Sequence, residues 1–577
     1  MAVIRAFKPQ IDSGLRGIWN RNRIIPHIAF ASRDSPGRNS VPVQWRLSIV
    51  FAASLALAAC QRHETLVASG TRDQILLIGN KDEPADLDPN INQASSTGQI
   101  LSALFQGLVT MSSDGHTVLP GMAERWEVSG DGLTYTFHLR ADGRWSNGEP
   151  LTAVDFRDTF MRILDPQVGC EDAGYAFSIR GARDFVEGRS TDPSSVGIRV
   201  VDPHTLVFEL VHPAPYLLMV ISSFPFYPVY MPSLDAQGGR HQRGGPWTRP
   251  GVLVSNGPFT LEEWIPNAYV RVVRNPNYWD AGRVRLREIR FYPTDDADSE
   301  ELAFRAGQLH ATARLPQTKV AVYEAAHPEE LHVNPILRTN YLTFNLSRPP
   351  FADPRVRRAF SLAIDRERLV RAALGRVGSP AHAMVRPGMG GFGPPRGFPF
   401  DPALARKLLA EAGYPGGTGL PAVEFTLNGN TGVTLEVGEV LQQMWMENLG
   451  VRVTVVPVEF KAYLSTLREK QFQLLMDSWL PLPDPSDILS MGVTSDPNND
   501  SGASYRDYDA AFAASERTAD PRIRNEAFKA MERINAREVF YAPIYYTNQA
   551  YLVQTSVRGW RDNPDEWIDW RELYLAP

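Results

Sequence analysis

Apolar and polar residues recur along this chain with the periods of strands and helices. In residues 134–140, Tyr135, Phe137 and Leu139 alternate with polar neighbours, which predicts a half-buried strand. Short apolar runs predict further strands, at residues 74–79, 200–210 and 451–458. Apolar residues spaced three and four apart predict helices, at residues 152–164, 354–374 and 434–449. Because helices and strands follow one another in turn, we expect an α/β architecture.

A continuous apolar run occupies residues 47–59 and follows the single Arg46. A basic residue, an apolar stretch and small residues before a cleavage point form the layout of a secretory signal. The run ends in Leu57-Ala58-Ala59-Cys60, which resembles a bacterial lipobox. The resemblance implies that Cys60 is acylated, becomes the first residue of the mature chain and anchors it to a membrane. The alternative is a short buried helix followed by an unrelated cysteine, since a membrane span needs about 20 residues.

The residues before this run are basic and irregular. Seven Lys or Arg lie among the first 40 residues. Since signals of this kind begin close to their apolar run, we expect translation to start downstream of Met1, near Val43; the alternative is a genuine basic extension. We therefore expect residues 1–59 to lie outside the fold. Residues 60–70 are small and polar, which predicts a tether.

The charge balance of the remaining chain is acidic. Without residues 1–59, which hold eight Lys/Arg and two Asp/Glu, 51 basic and 63 acidic residues give a net charge of −12. Nucleic acids and anionic membrane surfaces favour basic patches, so neither is an expected partner. The remaining 518 residues exceed what one core usually fills, which predicts two or three lobes. The only cysteines are Cys60 and Cys170, so no disulfide is expected within the exported chain.

Motifs for enzymatic chemistry are absent from the sequence. There is no phosphate-loop lysine motif, no HExxH pair and no GxSxG elbow. Residues 388–393 match GxGxxG, but prolines on both sides prevent them from opening a helix on a phosphate. The 11 histidines lack metal-ligand spacing. We therefore expect no catalysis, no cofactor and no metal.

Four segments together resemble one known family. They are residues 134–156 with TYTFHLR and WSNGEPLTA, residues 256–280 with NGPF and RNPNYWD, residues 341–366 with YLTFN and DPRVRRA, and residues 542–553 with APIYY. In this order, behind a lipobox, they resemble the oligopeptide- and dipeptide-binding proteins of ABC importers, which form the extracellular solute-binding protein family 5. The resemblance covers nearly all of residues 72–577.

The resemblance implies a three-lobed, periplasmic-binding-protein-like α/β fold, with two mixed lobes joined by a hinge and a small extra lobe. Lobe I would combine residues 71–115, 225–338 and 535–577, lobe II residues 116–224 and lobe III residues 339–534. The chain would cross between lobes I and III near Tyr341 and Tyr545, where hinge closure around a ligand is expected. We expect a monomeric lipoprotein of the periplasm or cell envelope that captures peptides and delivers them to an ABC permease.

The family also implies a site for the peptide amino terminus in residues 475–485. There, a tryptophan is followed three residues later by an aspartate that pairs with the α-amine, and then by an acidic residue before proline. Here Trp479 and Asp484 match, but the third residue after the tryptophan is Leu482. Because a buried ammonium needs an anion, either Asp484 or Asp477 takes over the role, or the ligand lacks a free α-amine there. Asp484 is equally interpreted as a turn-capping residue before proline.

Three further residues are expected at the cleft from the same resemblance. Arg338 would clamp a carboxylate through its two-pronged guanidinium, or else is a residue on a strand surface. Tyr341 matches an aromatic residue of the family's cleft. Of Tyr545 and Tyr546, one is expected to face the ligand.

Two functions stay open besides peptide transport. The missing aspartate at Leu482 motivates a non-peptide or modified-peptide solute, such as a murein fragment, an opine, a sugar or a metal chelate. The second is a signalling or chaperone-like lipoprotein that has the same fold and does not transport.

Overall fold

The computed structural model of the protein describes residues 64–113, 117–429, 432–564 and 567–577. Residues 64–577 form one compact unit. The predicted signal, Cys60 and the start of the predicted tether lie outside the described residues. From Glu64 on, the predicted tether is folded, because Thr65 caps helix α1 (Leu66–Asp73) and the Val67 N–H donates to the Gly307 carbonyl at 2.9 Å.

The first half of the chain builds two four-stranded sheets. Its elements after α1 are β1 (Ile75–Gly79), α2 (Ser95–Leu104), β2 (Val109–Met111), β3 (Val118–Pro120), β4 (Ala123–Val128), β5 (Thr134–Leu139), α3 (Ala153–Ile163), α4 (Ala182–Val186), β6 (Ile198–Asp202), β7 (Thr205–Glu209), α5 (Leu217–Ile221), α6 (Met231–Ala236), β8 (Phe259–Ile265), β9 (Tyr269–Arg274), β10 (Glu288–Tyr292), α7 (Ala297–Arg305) and α8 (Gln317–Ala326). One sheet has the order β1-β10-β9-β8, and the other, antiparallel, the order β4-β5-β7-β6. The strands β2 and β3 pair separately.

Local sequence explains two of these elements directly. In β5 the alternating Tyr135, Phe137 and Leu139 are the buried positions, which confirms the predicted half-buried strand. Helix α3 begins where Thr152 and Asp155 form a capping box, each side chain bonding the other residue's backbone. Both elements pack into one core around Phe156, whose ring is fully buried.

The second half of the chain centres on a six-stranded sheet of order β12-β16-β11-β15-β13-β14. Its elements are β11 (Leu331–Phe344), α9 (Pro354–Leu362), α10 (Arg366–Leu369), β12 (Gly378–Pro380), α11 (Pro402–Glu411), β13 (Val423–Asn428), α12 (Gly432–Leu449), β14 (Val453–Val458), α13 (Phe460–Arg468), β15 (Leu474–Trp479), α14 (Pro485–Ser490), α15 (Arg506–Glu516), α16 (Pro521–Glu538), β16 (Tyr541–Leu552), β17 (Val557–Arg558) and β18 (Tyr574–Leu575). The mixed α/β fold with several sheets agrees with the predicted class.

Two long antiparallel strands, β11 and β16, connect separate hydrophobic cores. At one end, Leu552 packs with Leu77 and Phe304. At the other end, Leu342 and Ala542 pack with the core of the six-stranded sheet. The pair therefore bridges the two cores, at the place where the hinge is predicted.

One predicted helix is broken in the structure. Residues 354–374 form α9, a break, α10 and a π-helical turn instead of one continuous helix. The carboxylate of Asp365 accepts the Arg368 N–H and starts the new helix. The side chain of Arg366 is fully buried and donates to the Pro543 carbonyl at 2.7 Å, which binds this turn to β16.

The two ends of the folded unit meet. The side-chain amide of Gln74 donates to the Leu575 carbonyl at 2.6 Å and accepts the Leu575 N–H at 3.1 Å. Within the described ranges, no helix is both long and apolar enough to cross a membrane.

Candidate functional site

The loop from β15 to α14 forms the wall between two neighbouring cavities. Its sequence is Leu480-Pro481-Leu482-Pro483-Asp484, followed by Pro485 in the first turn of α14. Each proline fixes its own φ and restricts the residue before it to extended conformations. The alternating prolines therefore favour an extended segment, in which Leu480 is exposed and Leu482 is partly buried against the core around Phe156.

The first cavity, here the apolar cavity, has a volume of about 370 Å³. Its lining is mostly apolar and combines residues from distant parts of the chain, among them Met111, Met219, Phe224, Phe226, Leu337, Leu480, Leu482 and Trp567. Polar groups include Gln93 and Asp172, which bond each other at 2.7 Å. Such a surface holds a solute mainly by shape and apolar contact.

The second cavity, here the acidic cavity, has a volume of about 350 Å³ and shares Tyr175 and Leu482 with the first. Four carboxylates line it, those of Asp484, Asp487, Asp496 and Glu516, together with Ser178, Arg183, His212, Tyr216 and Phe512. The two cavities therefore meet at the proline-rich loop and present opposite chemistry on either side of it.

The carboxylate of Asp487 is hydrogen-bonded to the backbone of Leu482, the position of the missing aspartate. Its Oδ2 accepts the indole N–H of Trp479 at 3.1 Å and the backbone N–H of Leu482 at 2.9 Å. Burial raises the pKa of Asp487 from 3.8 to about 6, and the neighbouring Asp484 and Asp496 act in the same direction. The Asp487 carboxylate therefore lies next to Trp479 and Leu482, and neither of these two hydrogen bonds comes from a cationic side chain.

The predicted alternative, Asp484, is already neutralised. Its two oxygens accept the guanidinium of Arg524 at 2.8 and 3.0 Å, and the Ser486 N–H bonds it at 2.9 Å as the cap of α14. The aspartate is 5% exposed. The capping interpretation is therefore confirmed, and an amine-binding role is disfavoured because the charge is already paired.

Three other predicted residues gather around strands β11, β15 and β16, away from the acidic cavity. The guanidinium of Arg338 donates to the Ser478 hydroxyl at 3.2 Å. Burial raises the pKa of the neighbouring Asp477, while Arg338 lowers it. Burial also raises the pKa of Tyr545, which is 6% exposed, to about 12. Ligand contact by these three residues stays a prediction.

Tyr341 is packed in the interior and lines neither of the two cavities, so its contact with ligand stays a prediction. Its side chain is 1% exposed and its ring meets Tyr541 edge to face at 5.4 Å between centroids. Tyr546, the alternative partner of Tyr545, is also buried and donates its hydroxyl to the Ala383 carbonyl at 2.9 Å. Both tyrosines bury because β11 and β16 lie inside the six-stranded sheet, where their side chains face cores on both sides.

Residues 117–500 match the profile of the bacterial extracellular solute-binding proteins, family 5. The protein belongs to this family. This confirms the resemblance found in the sequence.

Two relatives in Escherichia coli are similar over almost their whole length. The probable deoxycholate-binding periplasmic protein YgiS is 31% identical, over 92% of this chain and 98% of its own. The periplasmic murein peptide-binding protein MppA is 30% identical, over 93% of this chain and 99% of its own. The structure of unliganded, open MppA matches with a TM-score of 0.76, covering 89% of this chain and 99% of that one.

Apart from Asp484 and Leu482, the residues of the acidic cavity in this family 5 protein were missed by the sequence analysis. Asp487 lies in the first turn of α14, three residues after Asp484. The sequence could have indicated it, because it follows an acidic capping residue at this spacing. Glu516 and Ser178 come from parts of the chain that no local pattern connects to Trp479. In the described part of the chain, no three His, Cys, Asp or Glu side chains are grouped so as to hold a metal ion.

Proposed function

We propose that this family 5 protein binds peptides across the apolar and acidic cavities and delivers them to an ABC permease. The supporting observation is the pair of adjoining cavities, of about 370 and 350 Å³, whose walls come from distant segments of the chain. A site assembled from segments that belong to separate cores can close around a ligand when those cores move. The murein peptide-binding relative supports the substrate class.

In this proposal Asp487 receives the peptide α-amine in place of the missing aspartate. Its carboxylate is fixed by Trp479 and by the Leu482 N–H, so it is preorganised beside the position where the family resemblance expects an acid. An ammonium group would relieve the cost of keeping this buried carboxylate ionised.

The experiment is a calorimetric titration of residues 64–577 with tetra-alanine and with N-acetyl-tetra-alanine. The free peptide is expected to bind at least about tenfold more tightly, since a charge-assisted pair in a partly buried site is worth more than about 1.4 kcal/mol. Asp487→Asn is expected to abolish this difference. Asp142→Asn, at an exposed turn, removes the same charge and should preserve it.

An equal loss for free and acetylated peptides in Asp487→Asn would refute the amine assignment and leave peptide binding standing. Mass spectrometry of the natively purified protein gives the second arm. A series of co-purified short peptides supports the proposed substrate class, whereas a single non-peptide species contradicts it.

Membrane attachment through Cys60 is part of the same proposal, on the sequence evidence of the lipobox. Cys60→Ala is expected to abolish incorporation of labelled palmitate into the protein, because the substitution removes the thiol that would be acylated. Incorporation of the label into the Cys60→Ala protein would contradict acylation at Cys60.

A second candidate is an amphipathic non-peptide solute. It is favoured by Leu482 in place of the aspartate and by the apolar lining of the first cavity, and a relative bears the name of a probable deoxycholate-binding protein. Deoxycholate is the probe. If it is the ligand, Leu480→Asp, at a position 45% exposed in the wall, should weaken it at least about tenfold through lost apolar contact and like charge, and tetra-alanine should not bind.

A further inference from the structure

The acidic cavity carries a surplus of negative charge beyond the single carboxylate assigned to an α-amine. Of its four carboxylates, only Asp484 is held by a guanidinium at hydrogen-bonding distance, that of Arg524. Glu516 lies 3.8 Å from the same guanidinium. Among the described residues, the Asp496 carboxylate accepts the nearby Asn498 N–H at 2.8 Å. The cavity therefore contains three carboxylates with incomplete charge compensation.

The basic groups near this cavity compensate its charge only in part. Arg183 is exposed and lies over the Phe177 ring at 5.0 Å. Arg524 and His212 lower the pKa of Glu516, but burial outweighs them. Burial raises the pKa of Glu516 as well as that of Asp487, which is the cost expected when buried carboxylates lack partners.

An independent observation concerns Ser178 in the wall of the same cavity. The residue is 3% exposed, and its hydroxyl has no hydrogen-bond partner in the described structure. A buried hydroxyl without a partner costs free energy. A ligand N–H group that reached this wall would satisfy it, because the serine oxygen accepts hydrogen bonds.

The remaining walls are aromatic. Tyr175, Tyr216 and Phe512 line the cavity together with the carboxylates. Aromatic faces attract cations and also pack against aliphatic chains. Apolar walls with an anionic end are the environment that suits a long side chain with a charged head.

We propose that the acidic cavity is a subsite for a cationic side chain of the ligand, of the lysine or arginine type, with Glu516, Asp496 and Ser178 receiving its head group. This rests on the proposed peptide function and refines it. The shared wall residues Tyr175 and Leu482 place the entry to the subsite beside the Asp487 carboxylate. The α-amine and the cationic side chain would therefore occupy neighbouring positions on the same ligand.

The test is a lysine scan of tetra-alanine, with norleucine at each position as the uncharged isostere, titrated by calorimetry into residues 64–577. At one peptide position, lysine is expected to bind at least about tenfold more tightly than norleucine. Glu516→Gln and Ser178→Ala are each expected to reduce that ratio to below about threefold. In Glu516→Gln, the loss of affinity on N-acetylation of the peptide, which is assigned to Asp487, should persist. This result would show that the α-amine and the lysine side chain bind at two different sites.

The matched control is Glu424→Gln, which removes one exposed carboxylate far along the chain and should keep the full ratio. Ser178→Ala removes a hydroxyl without a partner, so its thermal stability should match or exceed that of the wild type. Equal affinities for lysine and norleucine at every position, with peptide binding intact, would overturn the subsite and spare the proposed function.

If no tetrapeptide binds, the proposed peptide function fails, and spermidine becomes the probe of the cavity. Binding of spermidine that weakens in Glu516→Gln supports a cation subsite for a non-peptide ligand. Absence of spermidine binding overturns the subsite as well.

Discussion

The apolar and acidic cavities are nearly equal in volume, about 370 and 350 Å³, and share a wall, yet they impose opposite demands on the fold. The described lining of the apolar cavity holds a single carboxylate, Asp172, whose pKa is raised by burial and which accepts the Gln93 amide at 2.7 Å, and its other walls need few polar partners. The acidic walls hold carboxylates whose pKa values are raised by burial. A cavity whose buried charges destabilise the empty protein indicates selection for one ligand chemistry. A cavity with little charge indicates tolerance of different ligands.

The largest expected effect comes from breaking the ion pair between Arg524 and Asp484, whose carboxylate lines the acidic cavity. Arg524→Met leaves Asp484 buried without its cation, which should lower the free energy of unfolding by about 3–5 kcal/mol. Urea denaturation at pH 7.5 measures it. The control is Arg522→Met, on the same helix but with a side chain 90% exposed, which should change stability by less than about 0.5 kcal/mol. Equal effects of the two substitutions would mean that the buried pair is not structural.

A second test measures the cost of the acidic wall itself. The pKa of Asp487 is about 6 in the fold against 3.8 ordinarily, so the free energy of unfolding falls as the pH rises between these values. Asp487→Asn keeps an oxygen for Trp479 and Leu482 and should stabilise the empty protein at pH 7.5 by about 1–3 kcal/mol. Asp142→Asn should not. A lower free energy of unfolding in Asp487→Asn than in the wild type would contradict the claim that this buried carboxylate destabilises the empty protein.

The pH dependence of binding should distinguish the cavities next. Below pH 6 the Asp487 carboxyl becomes protonated, so the affinity for a lysine-containing tetrapeptide should fall about tenfold between pH 7 and pH 5. The neutral dye N-phenyl-1-naphthylamine, as an apolar-cavity probe, should bind equally at both pH values. Asp487→Asn should flatten the peptide profile, and an unchanged slope in this variant would assign the titration to another group.

The smallest expected effect is that of salt. Raising NaCl from about 50 to about 500 mM should weaken lysine-peptide binding about two- to threefold through screening. The naphthylamine dye should bind no more weakly at high salt, because salt does not oppose apolar burial. Fluorescence titrations at the two salt concentrations measure both, and a salt-sensitive dye would show that the two probes share one site.

Much of the architecture follows from residue patterns that are local. The alternation at Tyr135, Phe137 and Leu139 and the long apolar helix Gly432–Leu449 were both predictable, because a single face of each element determines its burial. The break at Asp365 was not, since it depends on Arg366 reaching a carbonyl of a strand 177 residues away.

The candidate site likewise contains some features that could be predicted from the sequence and others that could not. Trp479 and the absence of an acid at Leu482 were identifiable because the family resemblance implies a tryptophan and an aspartate at these positions. The pairing of Asp484 with a cation was not predictable, because its partner Arg524 lies 40 residues further on. Asp487 points to Trp479 only because the proline-rich loop folds back over α14, and loop geometry of this kind is set by tertiary contacts and not by sequence period.

The meeting of Gln74 with Leu575 has a practical consequence for measuring motion. Fluorophores attached beside Gln74 and Leu575 would stay close together whatever the cores do, so energy transfer between them should be insensitive to ligand. The same proximity means that a short peptide linker can join the ends, and new termini can be opened at an exposed turn such as Gly130. In such a circular permutant the two new termini would lie beside each other at that turn, so reporters of motion between the cores belong at internal positions and not at either pair of ends.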